Sequence, residues 1–591
     1  MRSSREIAHR ALQEATNVRL MWWPPRAKST FAKSILPEPK ACAAALRRTA
    51  YAAEVLRLAE QIRQHRFPLL GFTIDPGPDI HWRRDEVNGV ETGTQYFRSI
   101  PYLNVTRAGD HKNIWELNRH QHLVLLAQAY LLDSNQANID EIAAEIESWI
   151  RQNPFQRGMN WASALEVAFR ALSWLWVLHL VGESLTPGLR SRLIEQLNLH
   201  GRHLENNLSL YFSPNTHLLG EAVALHAIGV LVPELPRARR WREKGAQVVG
   251  EQMEKQVRAD GSHFEQSTYY HVYALDMFLF HALLGSVSDA FRAKLEHMAE
   301  YLDAILGPSR QLPFVGDDDG GRFFHPFGER DRFARATLAA CSLFFKRPEW
   351  LESAEDLHEI AGWWYGVHTS PGKHCLNPPS RIFRDAGTAV MTSGDRHVLV
   401  DAGPFGPWGS GHSHSDTLSL VVRRGSDEIL IDPGTYTYVG DEHWRNWFRG
   451  SAAHSTVRID SYDQATRINP FRWADQPSVR VRSWESSASE DYLDAECSYR
   501  GFTHRRQVRF TKPDAILVSD EVSGPPGAHN VEQLWHLGSE DAEQRLQLEA
   551  PVQKLEGWRS RTFGDKTPSV ILRVHRRCEL PCRFEARIDL K

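Results

Sequence analysis

Six cysteines in 591 residues, at positions 42, 341, 375, 497, 578 and 582, are too few and too scattered for a disulfide scaffold. Cys578 and Cys582 lie close together, but no second pair completes a zinc knuckle, so the thiols read as mostly buried. No apolar stretch reaches membrane-spanning length, which argues against a membrane-embedded chain. The first ten residues, Met1-Arg-Ser-Ser-Arg-Glu-Ile-Ala-His-Arg10, lack the apolar core of a signal peptide. A cytoplasmic location is expected, or a periplasmic or secreted one if the start is incomplete. No charge run resembles a polybasic arm and the formal net charge is −3, so nothing calls for a nucleic-acid partner. No internal repeat or low-complexity tract is visible.

What the chain does have is length and aromatic side chains. At 591 residues it exceeds one typical core, and two domains are expected. Its 19 Trp, 15 Tyr and 26 Phe are mostly core material, though flat rings also suit sugar-binding clefts.

An amphipathic helix opens the chain and must end at Trp22-Trp23-Pro24-Pro25. Residues 41–65 are helical, and 67–106 form an irregular connector. Helical periodicity then governs Trp115 to Tyr130, Val167 to Val181 behind a capping box at Ser163 and Glu166, His217 to Val230, Arg240 to Val257, Ser267 to Leu284 and Ala290 to Leu306. Repeated helical hairpins of similar length predict an incomplete α/α toroid. Past residue 375 short β-branched segments with turns between them, from Val390 to Val531–Leu537, predict an antiparallel β-sandwich. The fold class is multidomain α and β. The segments are 1–106 packing on the toroid, 107–374 the toroid, and 375–591 the sandwich.

The stretch richest in chemistry is Gly409-Ser-Gly-His412-Ser-His414-Ser-Asp416. It runs through a hairpin turning at Arg424-Gly425-Ser426-Asp427 to Asp432-Pro433-Gly434. Histidines at i and i+2 of an extended segment share a face. Leu418, Leu420 and Val422 mark the outgoing strand, which brings Asp432 back alongside His414. With His454 from the next strand, His414, Asp432 and His454 form a two-imidazole, one-carboxylate set suited to zinc. No fourth ligand is evident, and a water is expected to fill the position. His412 stays free to act on a substrate.

Two helical segments carry polar groups that packing does not explain. In Ser213-Pro214-Asn215-Thr216-His217-Leu-Leu-Gly-Glu221, Pro214 puts Asn215 at a helix start, where it either caps the helix or presents its amide outward. Glu265-Gln-Ser-Thr-Tyr269-Tyr270-His271 places Tyr270 and His271 in the first turn of an apolar helix. Arg119, Arg445 and Arg449 suit either sugar carboxylates and sulfates or structural ion pairs. Gly316-Asp-Asp-Asp-Gly320 lacks the spacing of a calcium loop and reads as a loop at a cleft mouth.

These runs, with Trp115-Glu-Leu-Asn-Arg119, Asn160-Trp161 through Arg170, Asp432-Pro-Gly-Thr-Tyr436, Trp444 to Arg449 and Ala453-His454-Ser-Thr-Val457, resemble heparinase II/III-type polysaccharide lyases. The likeness runs from about residue 110 to 460. It implies β-elimination on a glycan containing a hexuronic acid, leaving a 4,5-unsaturated uronate end. It implies Tyr270 as the proton-transfer phenol and His412 as a second proton-transfer group, with Asn215 and His217 engaging the uronate carboxylate. Arg119, Glu221, His271, Arg445 and Arg449 are carried as substrate contacts, and His414, Asp432 and His454 as ligands of a structural zinc. The partner is an acidic polysaccharide or oligosaccharide, with neither nucleic acid nor membrane; a homodimer is left open. Chemistry sets the demands: C5–H is weakly acidic until its carboxylate is neutralised, and a phenol of pKa about 10 needs cationic neighbours to act as base. Two other readings stand beside this one. A hydrolase would use Glu221 and Glu265 as its carboxylate pair, and a silent glycan-binding protein would have lost part of the proton-transfer set.

Overall fold

The computed structural model describes residues 3–27, 35–366, 378–549 and 551–591. The expected boundary at 374/375 falls on residues 367–377 and so lies outside the described residues, as does Cys375.

The helical half alternates two kinds of helix. Gln121–Asp133, Ala164–Val181, Thr216–Leu231 and Thr268–Leu283 are apolar around their whole circumference and almost wholly buried. Between them run Gln136–Gln152, Pro187–Asn207, Ala238–Gln256 and Asp289–Leu306, each burying one stripe. Fully apolar helices must be inner staves and one-faced helices outer ones, which is an α/α toroid. The inner Ala164–Val181 helix corrects one expectation, since by length and composition it could cross a membrane, with mean hydropathy 1.4. It is instead 89% buried in this core.

Local details depart from the periodicity. The pattern read as one helix from Trp115 to Tyr130 breaks into His111–Asn118 and Gln121–Asp133, with His120 between them at φ 57°. The capping box at Ser163 does not form, because Glu166 turns away to Arg119. The 67–106 connector contains two small hairpins, Phe67–Leu69 with Phe72–Ile74 and Arg84–Asp85 with Val90–Glu91.

The C-terminal half is antiparallel throughout. One five-stranded sheet runs in chain order from Arg381–Phe383 to Asp427–Leu430. A four-stranded sheet continues it through the Leu430–Leu537 bridge, and a six-stranded sheet contributes to the same core. Val398, Val422, Val508, Val518 and Trp535 meet there. Four strands beyond residue 537, Leu546–Leu548, Val552–Thr562, Asp565–Glu579 and Cys582–Asp589, were not marked by clear apolar alternation.

Candidate active site and metal centre

The inner helices begin at one end of the toroid, and the candidate residues cluster at those beginnings. Asn215 is the N-cap of Thr216–Leu231, its Oδ1 accepting from the His217 N–H at 3.1 Å. Ser267 caps Thr268–Leu283 by accepting from the Tyr270 N–H, which puts the phenol in the first turn. Glu166 lies in the first turn of Ala164–Val181. Uncapped N–H groups and the helix dipole make this end of the toroid favourable to anions.

The β half reaches this end through residues 409–418. The segment is a loop, not the extended strand expected; the strand starts at Leu420, after Leu418 adopts φ 65°. The loop lays the His412 ring against the Tyr270 ring at 3.9 Å, nearly parallel. Tyr270 and His412, from opposite halves of the chain, are therefore in contact. The Tyr270 hydroxyl is 3.2 Å from that of Tyr438. His217, half-buried at the same helix end, is held neutral with a pKa of about 4 by burial and by the nearby His412.

Asp317 organises the site, and sequence reasoning had left it in a cleft-mouth loop. It is completely buried and joins the two halves. One oxygen accepts from His412 Nδ1 at 3.1 Å and the other from His414 Nε2 at 2.9 Å, while Arg445 clasps both. The Asp317 N–H also donates to the His412 carbonyl at 2.9 Å. Gly316 permits that approach: its φ is 69°, and an added Cβ would lie 2.7 Å from the same carbonyl. Burial alone would raise the Asp317 carboxyl, but Arg445, His412 and His414 hold it well below the usual range. The other acids of the run are divided between cations, Asp318 to Arg330 and Asp319 to Lys112.

His412 is consequently not free. Burial would lower its pKa, but the Asp317 bond and the Glu265 charge reverse the sign, and the net shift is upward. Its Nε2 stands 3.6 Å from Glu265, whose carboxylate also accepts from Asn215 Nδ2 at 2.6 Å. The charge of Arg445 reaches Tyr270, as the expected cation would, but it does not prevail. Burial, then the charge of Asp319 and the neighbouring Tyr438, push its hydroxyl well above the ordinary phenol value. It rests protonated.

Most of the expected sugar contacts are committed elsewhere. Arg119 is buried, with Nε and Nη2 on Glu166 at 2.7 and 3.0 Å and Nη1 3.3 Å from Glu116. Glu221 is buried and accepts from the Ser209 N–H and hydroxyl at 2.7 and 2.6 Å; burial pushes its pKa up to about 8. His271 faces away, bonded to the Met298 carbonyl and packed on Tyr301. Arg445 holds Asp317, and Arg449 holds Asn446 and the Asn469 and Pro470 carbonyls over the Trp473 ring. These residues build the site's walls. The hydrolase pair fails with them, because Glu221 is sealed behind Ser209.

Beside this site lies a buried set that includes the fourth ligand missing from the sequence reading. His414, Asp416, Asp432 and His454 each place a donor atom within 4.8 Å of the others. His414 Nδ1, Asp416 Oδ2 and His454 Nε2 are buried without a hydrogen-bond partner. Orphaned buried donors of this kind fit a divalent cation. Asp317 fixes the His414 tautomer from behind, leaving Nδ1 with a lone pair for a metal. Asp416 was visible in the Gly-His-Ser-His-Ser-Asp run, two residues past His414, but a pattern built on strand pairing had no place for it.

Comparison with known proteins agrees with this architecture. The family model of the heparinase II/III N-terminus matches residues 5–321, and that of the heparinase II/III-like C-terminal region matches 376–580. A heparin-sulfate lyase of Pedobacter heparinus is 25% identical over 507 positions, covering 81% of this chain and 68% of that protein. One from Bacteroides stercoris is 24% identical over 449 positions, covering 70% of this chain and 62% of that protein. A solved heparinase III structure superposes with a TM-score of 0.70 at 17% identity, over 98% of this chain and 89% of the other. With both halves matched in order, this chain belongs to the heparinase II/III-like family.

Proposed function

We propose that the chain is a polysaccharide lyase that cleaves a uronate-containing glycosaminoglycan by β-elimination. The observation that carries the reading is the contact between Tyr270 and His412, two proton-transfer groups from separate halves meeting where helix N-termini favour an anion. Asn215 and the neutral His217 face the substrate carboxylate. Their donors stabilise the charge that builds there as the C5 proton leaves. His412, held through Nδ1 by Asp317, takes that proton on Nε2; its raised pKa makes it a stronger base than a free imidazole. The C5–H electrons form the C4=C5 double bond, and the C4–O4 bond breaks. Tyr270 gives its proton to the departing O4, a role that suits a phenol kept protonated by burial. The relatives' names speak of heparin sulfate, and an acidic chain of that class is the proposed substrate.

The metal site is proposed as zinc and as structural: His414, Asp416, Asp432 and His454 would hold the ion. Bound there, it would supply fixed positive charge that rigidifies the loop carrying His412.

Product chemistry tests the reading. Incubation with a panel of uronate polysaccharides is expected to give oligosaccharides that absorb in the ultraviolet and are one water lighter than hydrolysis products. Saturated products of hydrolytic mass would replace the lyase reading by a hydrolase one.

A further inference from the structure

A second set of metal-ligating side chains lies in the helical half, away from the site above. His65 follows the Ala50–Arg63 helix with a left-handed backbone, φ 53°. Glu141 and Glu145 stand one turn apart on Gln136–Gln152, and His122 comes from the first turn of Gln121–Asp133. Donor atoms of His65, Glu141 and Glu145 lie within 4.8 Å of one another. His65 Nε2 is 2.9 Å from Glu141 Oε1, and His122 Nε2 is 2.6 Å from Glu145 Oε2.

Two observations call for a cation here. The Gly77 carbonyl accepts from His65 Nδ1 at 2.7 Å, so Nδ1 carries the hydrogen. A neutral ring then turns the lone pair of Nε2 toward a carboxylate. Two acceptors face each other, and a proton or a metal ion must lie between them. Independently, Glu145 is 2% exposed and its Oε1 has no hydrogen-bond partner. Such an oxygen is costly to bury unless a cation meets it. Two carboxylates and an imidazole suit a divalent transition ion, whose charge cancels theirs. Crowding of the acids agrees: burial first, then the nearby Glu145, raise the Glu141 carboxyl above its ordinary value.

We propose that His65, Glu141 and Glu145 form a second divalent-metal site, of the zinc-binding class, within the helical half, with His122 holding the far oxygen of Glu145. The Gly77 carbonyl sets the His65 tautomer from behind, as outer partners of metal-bound histidines do. The ion enters from the rim, where the His65 and Glu141 side chains are partly exposed. Its effect is to fasten the end of the Ala50–Arg63 helix to the Gln136–Gln152 helix of the toroid.

Zinc counting tests this. The full chain is stripped with chelator, reloaded with zinc, desalted, and its zinc per chain measured by plasma mass spectrometry. Two equivalents are expected in the wild type, with one lost in Glu145→Gln and in His65→Ala. Asp416→Asn should lose the other, and the combined variant should hold none. Zinc content unchanged by both Glu145→Gln and His65→Ala overturns the proposal, since protons alone then bridge these groups. Should Glu145→Gln fail to fold, diffraction from zinc-soaked wild-type crystals decides: an anomalous peak beside His65 Nε2 is expected, and its absence refutes the site.

Discussion

Asp317→Asn keeps the shape of the most connected side chain in the site and removes its charge. The wild-type carboxylate serves Arg445 through both oxygens, His412, His414 and the Thr435 hydroxyl, all within the buried seam between the two halves. Because its pKa is held well below the ordinary carboxyl value, its contribution is present above the unfolded pKa of about 3.9 and fades only as pH falls through the folded value. Neutral pH therefore displays all of it. The variant leaves the Arg445 guanidinium buried against a neutral amide, and breaking a buried ion pair this way costs about 3–5 kcal/mol. For a unit of the β half's size that is roughly 6–20 °C in Tm. The His412 share has the opposite pH course, being present below the unfolded histidine value of about 6.5 and lost as pH rises through the raised folded value. The gap between wild type and variant should accordingly narrow in alkaline buffer. Calorimetry across pH measures this. In kinetics, the rising limb of kcat/KM should move to lower pH, because His412 loses the anion that raised it. A variant that unfolds within about 1 kcal/mol of wild type, with its pH limb unmoved, would refute Asp317 as the organiser.

Three further outcomes follow from the same geometry. Asp416→Asn should abolish binding of the metal proposed beside His414 and lower the Tm of the β half, whereas chelation of that variant should add little at this site; metal analysis with thermal unfolding checks both. Wild type should lose stability relative to Glu221→Gln as pH rises from about 4.3 to 8, since ionising a carboxyl whose folded pKa is raised opposes folding; denaturant midpoints across that window give the difference. Trp408, 64% exposed and edge-on to Phe264 four residues before His412, offers a ring to a sugar; Trp408→Ala should raise KM about fivefold with little change in kcat, read from initial rates.

Much of this fold is legible from period alone. Helices that bury every face and helices that bury one alternate along the chain, and that alternation defines a toroid before any contact is known. The breaks were not legible. His120 takes a left-handed conformation without a glycine to announce it, and the Ser163–Glu166 box is a local signal overridden by Arg119 across the core. The late strands hide because their exposed faces alternate irregularly and one carries Pro568. In the site, Tyr270, His412, Asn215 and His217 could be picked out because polar groups at helix starts and in glycine-rich loops have few packing explanations. Asp317 could not, since its partners lie 95, 97 and 128 residues away. The same distance effect made Arg119, Arg445 and Arg449 look like sugar contacts. A buried ion pair and an exposed recognition arginine read alike until the partner carboxylate is located.

The initial rate of ultraviolet absorbance with Tyr270→Phe, on whichever uronate glycan the wild type cleaves, bears most directly on the central claim. The substitution removes one hydroxyl and leaves the ring packed on His412. Loss of general acid assistance to O4 is expected to lower kcat by about 10²–10⁴-fold with the chain still folded. A variant that turns over within about threefold of wild type, a difference of under 1 kcal/mol, would contradict the account.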